Sequence, residues 1–167
     1  MKRLFPFYAI SGLVLLCLTT YCFGICISRT PEEIIEQSQF VIHGIVKGMR
    51  TLWTDDHSRI YTYVALNVLD VFKGDLGGRN EITVRFRGGR GPGGDWLADN
   101  QPRLEEGMEV ILHMVQLKDG YLVIRGCEDG AYYVSNGMVW GKSGKVNMTL
   151  DQFKEFVDTV IGQREEE

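Results

Sequence analysis

Apolar and polar positions along the chain change period several times, and each change marks an element. Thr30-Pro31-Glu32-Glu33 reads as a helix start. Thr30 can cap, Pro31 suits the first helical position, and Glu33 completes a capping box. The helix this predicts is short, ending near Ser38, with Ile34 and Ile35 turned to a core. From Phe40 to Lys47 (FVIHGIVK) the period turns to two, and Gly44 marks a bulge or bend. Residues 48–54 continue this strand or lead out of it. The polar turn Thr54-Asp55-Asp56-His57-Ser58-Arg59 follows, then a long β-branched and aromatic run, IYTYVALNVLDVF, from Ile60 to Phe72. The two runs predict a hairpin. After a turn at 73–78, EITVRFR alternates, with Ile82, Val84 and Phe86 on one face and Glu81, Thr83, Arg85 and Arg87 on the other.

Periodicity then stops. Five of the eight residues from Gly88 to Asp95 are glycine, and 96–103 show no pattern, so 88–107 predicts one long loop. EVILHMVQL, from Glu109 to Leu117, reads as a strand, Lys118-Asp119-Gly120 as its turn and YLVIR as its partner. Ala131 to Val134 and Met138 to Trp140 predict a further hairpin around Ser135-Asn136-Gly137, because Asn-Gly suits a type I′ turn. Thr149 caps a last helix with Gln152 three residues on. Phe153, Phe156, Val157 and Val160 line one side of it. Arg164 to Glu167 reads as a frayed tail.

The expected fold class is therefore mainly β with flanking helices. Consecutive hairpins imply antiparallel pairing, and no βαβ alternation calls for a parallel sheet. A small antiparallel OB-like barrel with a short N-terminal helix and a C-terminal helix fits best, since closure removes unpaired edges. A β-sandwich is the alternative.

Charge and the first residues set the compartment. The 167 residues carry 18 Lys plus Arg against 22 Asp plus Glu, a net charge of -4. That balance argues against a nucleic-acid partner. Lys2 and Arg3 precede an uncharged run from Leu4 to Phe23, with Cys22 and Gly24 as small residues before a cleavage point. Residues 1–24 thus read as a signal peptide, 25–148 as the barrel domain and 149–167 as the terminal helix with an acidic tail. An extracytoplasmic location, periplasmic or secreted, follows. The alternative is an uncleaved N-terminal anchor, the one case in which a membrane would be involved. Cleavage removes Cys17 and Cys22 and leaves Cys26 and Cys127, an even pair in an oxidising compartment, which predicts a disulfide. Two buried free thiols are the alternative. The absence of any CxxC argues against thioredoxin-type redox chemistry and a Cys-rich zinc site.

The runs QFVIHGIVKG, IYTYVALNVLDVFKG and, after the glycine-rich segment, RLEEGMEVILHMVQLKDGYLVIRGCEDGAYYV resemble a group of secreted bacterial proteins of unassigned function. The likeness covers roughly residues 30–140. That group is distantly similar to the netrin-like, or tissue-inhibitor-of-metalloproteinase-like, OB barrels. The resemblance implies an N-terminal segment tied to the barrel by disulfides, and a Cys26–Cys127 bond would imitate one such tie. In those inhibitors the mature chain begins with Cys, whose amine and carbonyl chelate the protease zinc. Here Ile25 precedes Cys26, and one disulfide stands in place of several. The resemblance therefore carries the fold and not the inhibition.

Candidate chemistry is sparse. His43 and His113 sit inside apolar runs and read as structural. Asp55 and His57 share a turn that could hold a divalent ion, although turns favour Asp for backbone reasons. No HExxH, calcium loop or GxSxG occurs, and no cofactor is called for. The segment GGRGPGG lacks the Lys-Ser or Lys-Thr and the helix that a phosphate cradle needs. Arg85, Arg87 and Arg90 cluster near it, and with Trp96 they could form a sticky patch. A Trp96 that folds back to plug the barrel end is the alternative. The leading expectation is a non-enzymatic binding module. Its surface would combine Trp53, Asp55, His57, Arg85, Arg87, Arg90 and Trp96, and its partner would be another protein or an envelope component. A metalloprotease inhibitor acting through its N-terminal segment and a small hydrolase using His57 or His113 are the alternatives.

Overall fold

The computed structural model describes residues 29–91, 94–95 and 100–165. The expected signal segment, Cys26 and Trp96 lie outside the described residues, and of Arg90 only the backbone is described. Two long strands, β1 (Phe40–Trp53) and β2 (Ile60–Lys73), form the first hairpin. β3 (Glu81–Arg87) pairs with β2, β6 (Glu109–Gln116) pairs with β1, and β7 (Leu122–Ile124) joins β3 to β6. The ring β1-β2-β3-β7-β6-β1 is a closed five-stranded barrel of OB-like form.

One ladder corrects the expectation of wholly antiparallel pairing. β3 and β7 run parallel at Val84–Leu122. The reason is parity: directions cannot alternate around a ring with an odd number of strands, so one neighbouring pair must match. Closure itself requires the parallel contact.

β1 serves two neighbours, β2 along its whole length and β6 over Phe40 to Ile45. Its register slips at His43/Gly44, as the glycine anticipates. A Cβ at Gly44 would lie 2.6 Å from the Asn67 carbonyl oxygen and 2.8 Å from Leu66 Cγ, so only glycine admits this approach. The barrel interior is filled by residues that include Ile42, Val64, Leu66, Val84, Phe86 and Leu112.

The segment after β3 is not one uninterrupted loop. Arg90–Gly91 (β4) and Gly94–Asp95 (β5) form a small antiparallel ribbon. Its approach is anchored: Gly88 N donates to Ile60 O at 2.9 Å, and Thr62 Oγ1 donates to Gly88 O at 2.7 Å. A Cβ at Gly89 would meet Thr62 Oγ1 at 2.1 Å, so this glycine is there for close packing.

Beyond β7, a 3-10 turn (Cys127–Gly130) leads into β8 (Ala131–Ser135), β9 (Met138–Gly141) and β10 (Asn147–Thr149). β10 is a strand that sequence reasoning did not identify. Asn136 (φ 52) and Gly137 (φ 75) turn the β8–β9 hairpin with both residues left-handed, as a type I′ turn requires. The two helices share an outer core. α1 (Pro31–Gln37) has the full capping box, with Thr30 Oγ1 accepting from Glu33 N at 3.2 Å and Thr30 N donating to Glu33 Oε2 at 2.9 Å. α2 (Leu150–Glu165) has the same reciprocal pair at Thr149 and Gln152 and runs past the point where the tail was expected to fray. Phe153, Val157 and Val160 pack on Val41, Phe72, Ile111, Tyr132 and Val139, and Ile35 of α1 joins them. Among the described residues no helix is long and apolar enough to cross a membrane.

Candidate functional site

The outer face of β1, β2 and β3 carries an arginine–tyrosine array. In-register neighbours share a face of a sheet. The pairing sets Leu52, Tyr61 and Arg87 in one row, Arg50, Tyr63 and Arg85 in the next, and Gly48, Ala65 and Thr83 in a third. The turn between β6 and β7 brings Tyr121 over this face, 5.7 Å from Tyr63 and edge-on to it. The Arg85 guanidinium lies between two rings, 4.1 Å from the centroid of Tyr121 and 4.8 Å from that of Tyr61. Its Nη2 donates to Asp119 Oδ2 at 2.7 Å, and the side chain is only 12% exposed. That bond holds the Asp119 carboxyl below the usual carboxylate range. Arg50 stands over Tyr63 at 5.9 Å.

The third row is made of small side chains and forms a trough. Gly48, Ala65 and Thr83, walled by Arg50, Tyr63 and Glu81, outline a cavity of about 330 Å³. On the other side of Arg85, residues Tyr61, Arg87, Gln101 and Leu117 border a second hollow of about 270 Å³. The face is thus two shallow depressions separated by a stacked, ion-paired ridge.

The residues singled out from sequence are divided by this geometry. Arg85 and Arg87 both lie on the face, Arg85 as the half-buried organiser and Arg87 exposed beside Tyr61. Trp53 pairs with Ile60, one position out of phase with the Leu52–Tyr61 row, so it alternates to the other side of the ribbon. There it stacks on His57 at 6.4 Å. Asp55 is exposed, and its carbonyl oxygen accepts from His57 Nδ1 at 3.2 Å. The turn is organised instead by Asp56. It accepts from the Thr54 hydroxyl and from Ser58 N and Oγ, which brings its carboxyl down to about 2. Among the described residues no group of three His, Cys, Asp or Glu side chains is placed to hold a metal ion.

Sequence reasoning missed Arg50, Tyr61, Tyr63, Asp119 and Tyr121. A signal existed: IYTY places two tyrosines two apart, facing the alternate arginines of EITVRFR. The other two histidines are internal. His43 Nε2 lies 2.7 Å from Glu109 Oε1. His113 is fully buried against Tyr132 and Phe153, with Nδ1 donating to Gly130 O at 3.2 Å. No protein-family model matches the chain, and no curated protein matches it either.

Proposed function

We propose that the protein is a non-enzymatic extracytoplasmic binding module of the OB, netrin-like kind, and that its β1–β3 face receives an acidic segment of another protein or envelope component. The observation that carries this reading is the array Arg50–Tyr63–Tyr121–Arg85–Tyr61 with Arg87 beside it. Tyrosine and arginine are the residue types that dominate interface energetics, and here they are pre-ordered by stacking. Arg50, Arg85, Arg87 and Lys47 against Asp119 and Glu81 leave the face net positive on a chain of net charge -4, so attraction is local and directional.

The proposal includes removal of the first 24 residues and an oxidised Cys26–Cys127 tie. Cys127 begins the 3-10 turn that packs beside α1. Reducing the tie would release denatured-state entropy of up to ~4.7 kcal/mol on the chain-entropy model.

The test is fluorescence anisotropy with labelled octaglutamate at low and high salt. Octaglutamate should bind at low salt and weaken as salt rises. The double variant Arg50→Ala/Arg87→Ala should lose about tenfold in affinity, or ~1.4 kcal/mol, at an unchanged Tm. Octalysine that binds as well as octaglutamate, or a double variant that binds like the parent, refutes the reading.

A further inference from the structure

β8, β9 and β10 extend the sheet beyond the barrel as a ribbon. One side of the ribbon is covered by α2 through Tyr132, Val134 and Val139. The other side continues the barrel interior along the register row Val110–Tyr133–Trp140. Tyr133 packs against the barrel core. Trp140 stacks on it with centroids 4.8 Å apart and planes 29° from parallel, yet remains 46% exposed. Its exposed part is a flat aromatic surface beside the cavity that Trp140 helps to line.

The opposing wall is the segment 103–108, and it is fixed. Tyr133 Oη donates to Arg103 O at 3.1 Å. Val46 N donates to Met108 O at 2.9 Å, and Gly107 N donates to Val46 O at 2.8 Å. Between ribbon and segment lies a cavity of about 630 Å³. That is within the size range of small-ligand sites, ~300–1,000 Å³. Its position on the β8–β9 ribbon separates it from the arginine–tyrosine face.

The lining chemistry selects the ligand. The floor is aromatic, and the rim alternates donors and acceptors: Lys142, Asn136, Ser135, Glu105, Glu128. Its charges are of both signs, Arg103 and Lys142 against Glu105, Glu109 and Glu128, with Lys142 paired to Glu128 and Glu109 bonded to His43. A ligand of either charge would meet like charges as well as opposite ones in this mixed lining. A wholly apolar one would strip water from carboxylates and return nothing. A sugar ring has an apolar C–H face for an aromatic platform and hydroxyls that both donate to carboxylates and accept from an ammonium or amide. We infer that this groove binds a neutral saccharide of one or two rings, stacked on Trp140.

Isothermal titration of the oxidised full-length chain tests this with a panel of uncharged disaccharides covering gluco, galacto, manno and N-acetylhexosamine configurations. At least one should bind saturably. Trp140→Ala should weaken that sugar by about tenfold or more and Trp140→Phe by less, as expected for a stacking anchor. Arg87→Ala, on the other face, should leave it unchanged. Tm should stay within a few degrees for each variant, because Trp140 is an exposed position outside the buried core. Failure of every disaccharide, sugar binding that survives Trp140→Ala, or tetramethylammonium binding more tightly than every sugar overturns the proposal.

Discussion

Arg85 and Asp119, 34 positions apart in sequence, meet at 2.7 Å and fix the turn after β6 onto β3. The contact is also what brings Tyr121 over the barrel face, because Asp119 Oδ1 accepts from Tyr121 N at 3.2 Å. One carboxylate thus orders both the cation and the ring that stacks on it.

Arginine is required at position 85 rather than any cation. A planar guanidinium can stack on two rings while pairing with a carboxylate, and an ammonium cannot do both. Arg85→Lys should cost about 1–2 kcal/mol in urea unfolding, the sum of two weak cation–π contacts. Octaglutamate affinity should fall with it. A Lys variant as stable as the parent would show that the stack does not contribute.

His113 makes stability depend on pH. Burial brings its ring down to about 4 from an ordinary 6.5. Above 6.5 both folded and unfolded chains hold it neutral and no penalty applies. As pH falls from 6.5 to about 4 the unfolded chain takes up the proton and the folded chain does not, so stability is lost over that window, by up to about 3 kcal/mol. Urea unfolding followed from pH 7 to pH 4 should show this slope, and His113→Gln should flatten it. An equal slope in the variant would assign the dependence to other groups.

Two glycines on the same strand should respond differently to alanine. Gly44→Ala drives a methyl onto the Asn67 carbonyl and Leu66 and should destabilise by about 1–3 kcal/mol. At Gly48 a methyl would meet nothing within 4 Å, so Gly48→Ala should stay within about 0.5 kcal/mol of the parent. It does fill the trough beside Tyr63, so peptide affinity should drop without a change in Tm. Unchanged affinity in Gly48→Ala would exclude the trough from the binding surface.

Phe153 holds the terminal helix to the barrel. It is fully buried and meets the rings of Phe72, His113 and Tyr132. Phe153→Ala should cost about 3–5 kcal/mol in thermal or chemical unfolding. A loss under 1 kcal/mol would mean that α2 is not part of the cooperative unit.

Local features of the fold were legible in the sequence because they are decided by neighbours in the chain. Both capping boxes, the Asn136-Gly137 turn and the alternation of β3 fall in this group. The parallel β3–β7 closure was not, because it follows from the number of strands in the ring and not from any residue. β10 is only three residues long, too short for a period to show. The site was half legible for the same reason. Arg85 and Arg87 stand out beside their strand partners, but the Arg85–Asp119 pairing depends on barrel closure. Trp53 looks contiguous with that face in sequence and is turned away from it by a single step of register. The groove at Trp140 has one wall from β8 and β9 and another from 103–108, a segment without periodicity.

The most direct measurement is a nitrogen–proton correlation spectrum recorded while octaglutamate is titrated into the oxidised protein at low salt. Binding at the arginine–tyrosine face should give graded shifts confined to β1–β3 and the β6–β7 turn, largest around Arg50, Tyr63, Arg85 and Tyr121, and reversed by salt. Shifts centred on the 54–59 turn or on the Trp140 groove, or no shifts at all, would contradict it.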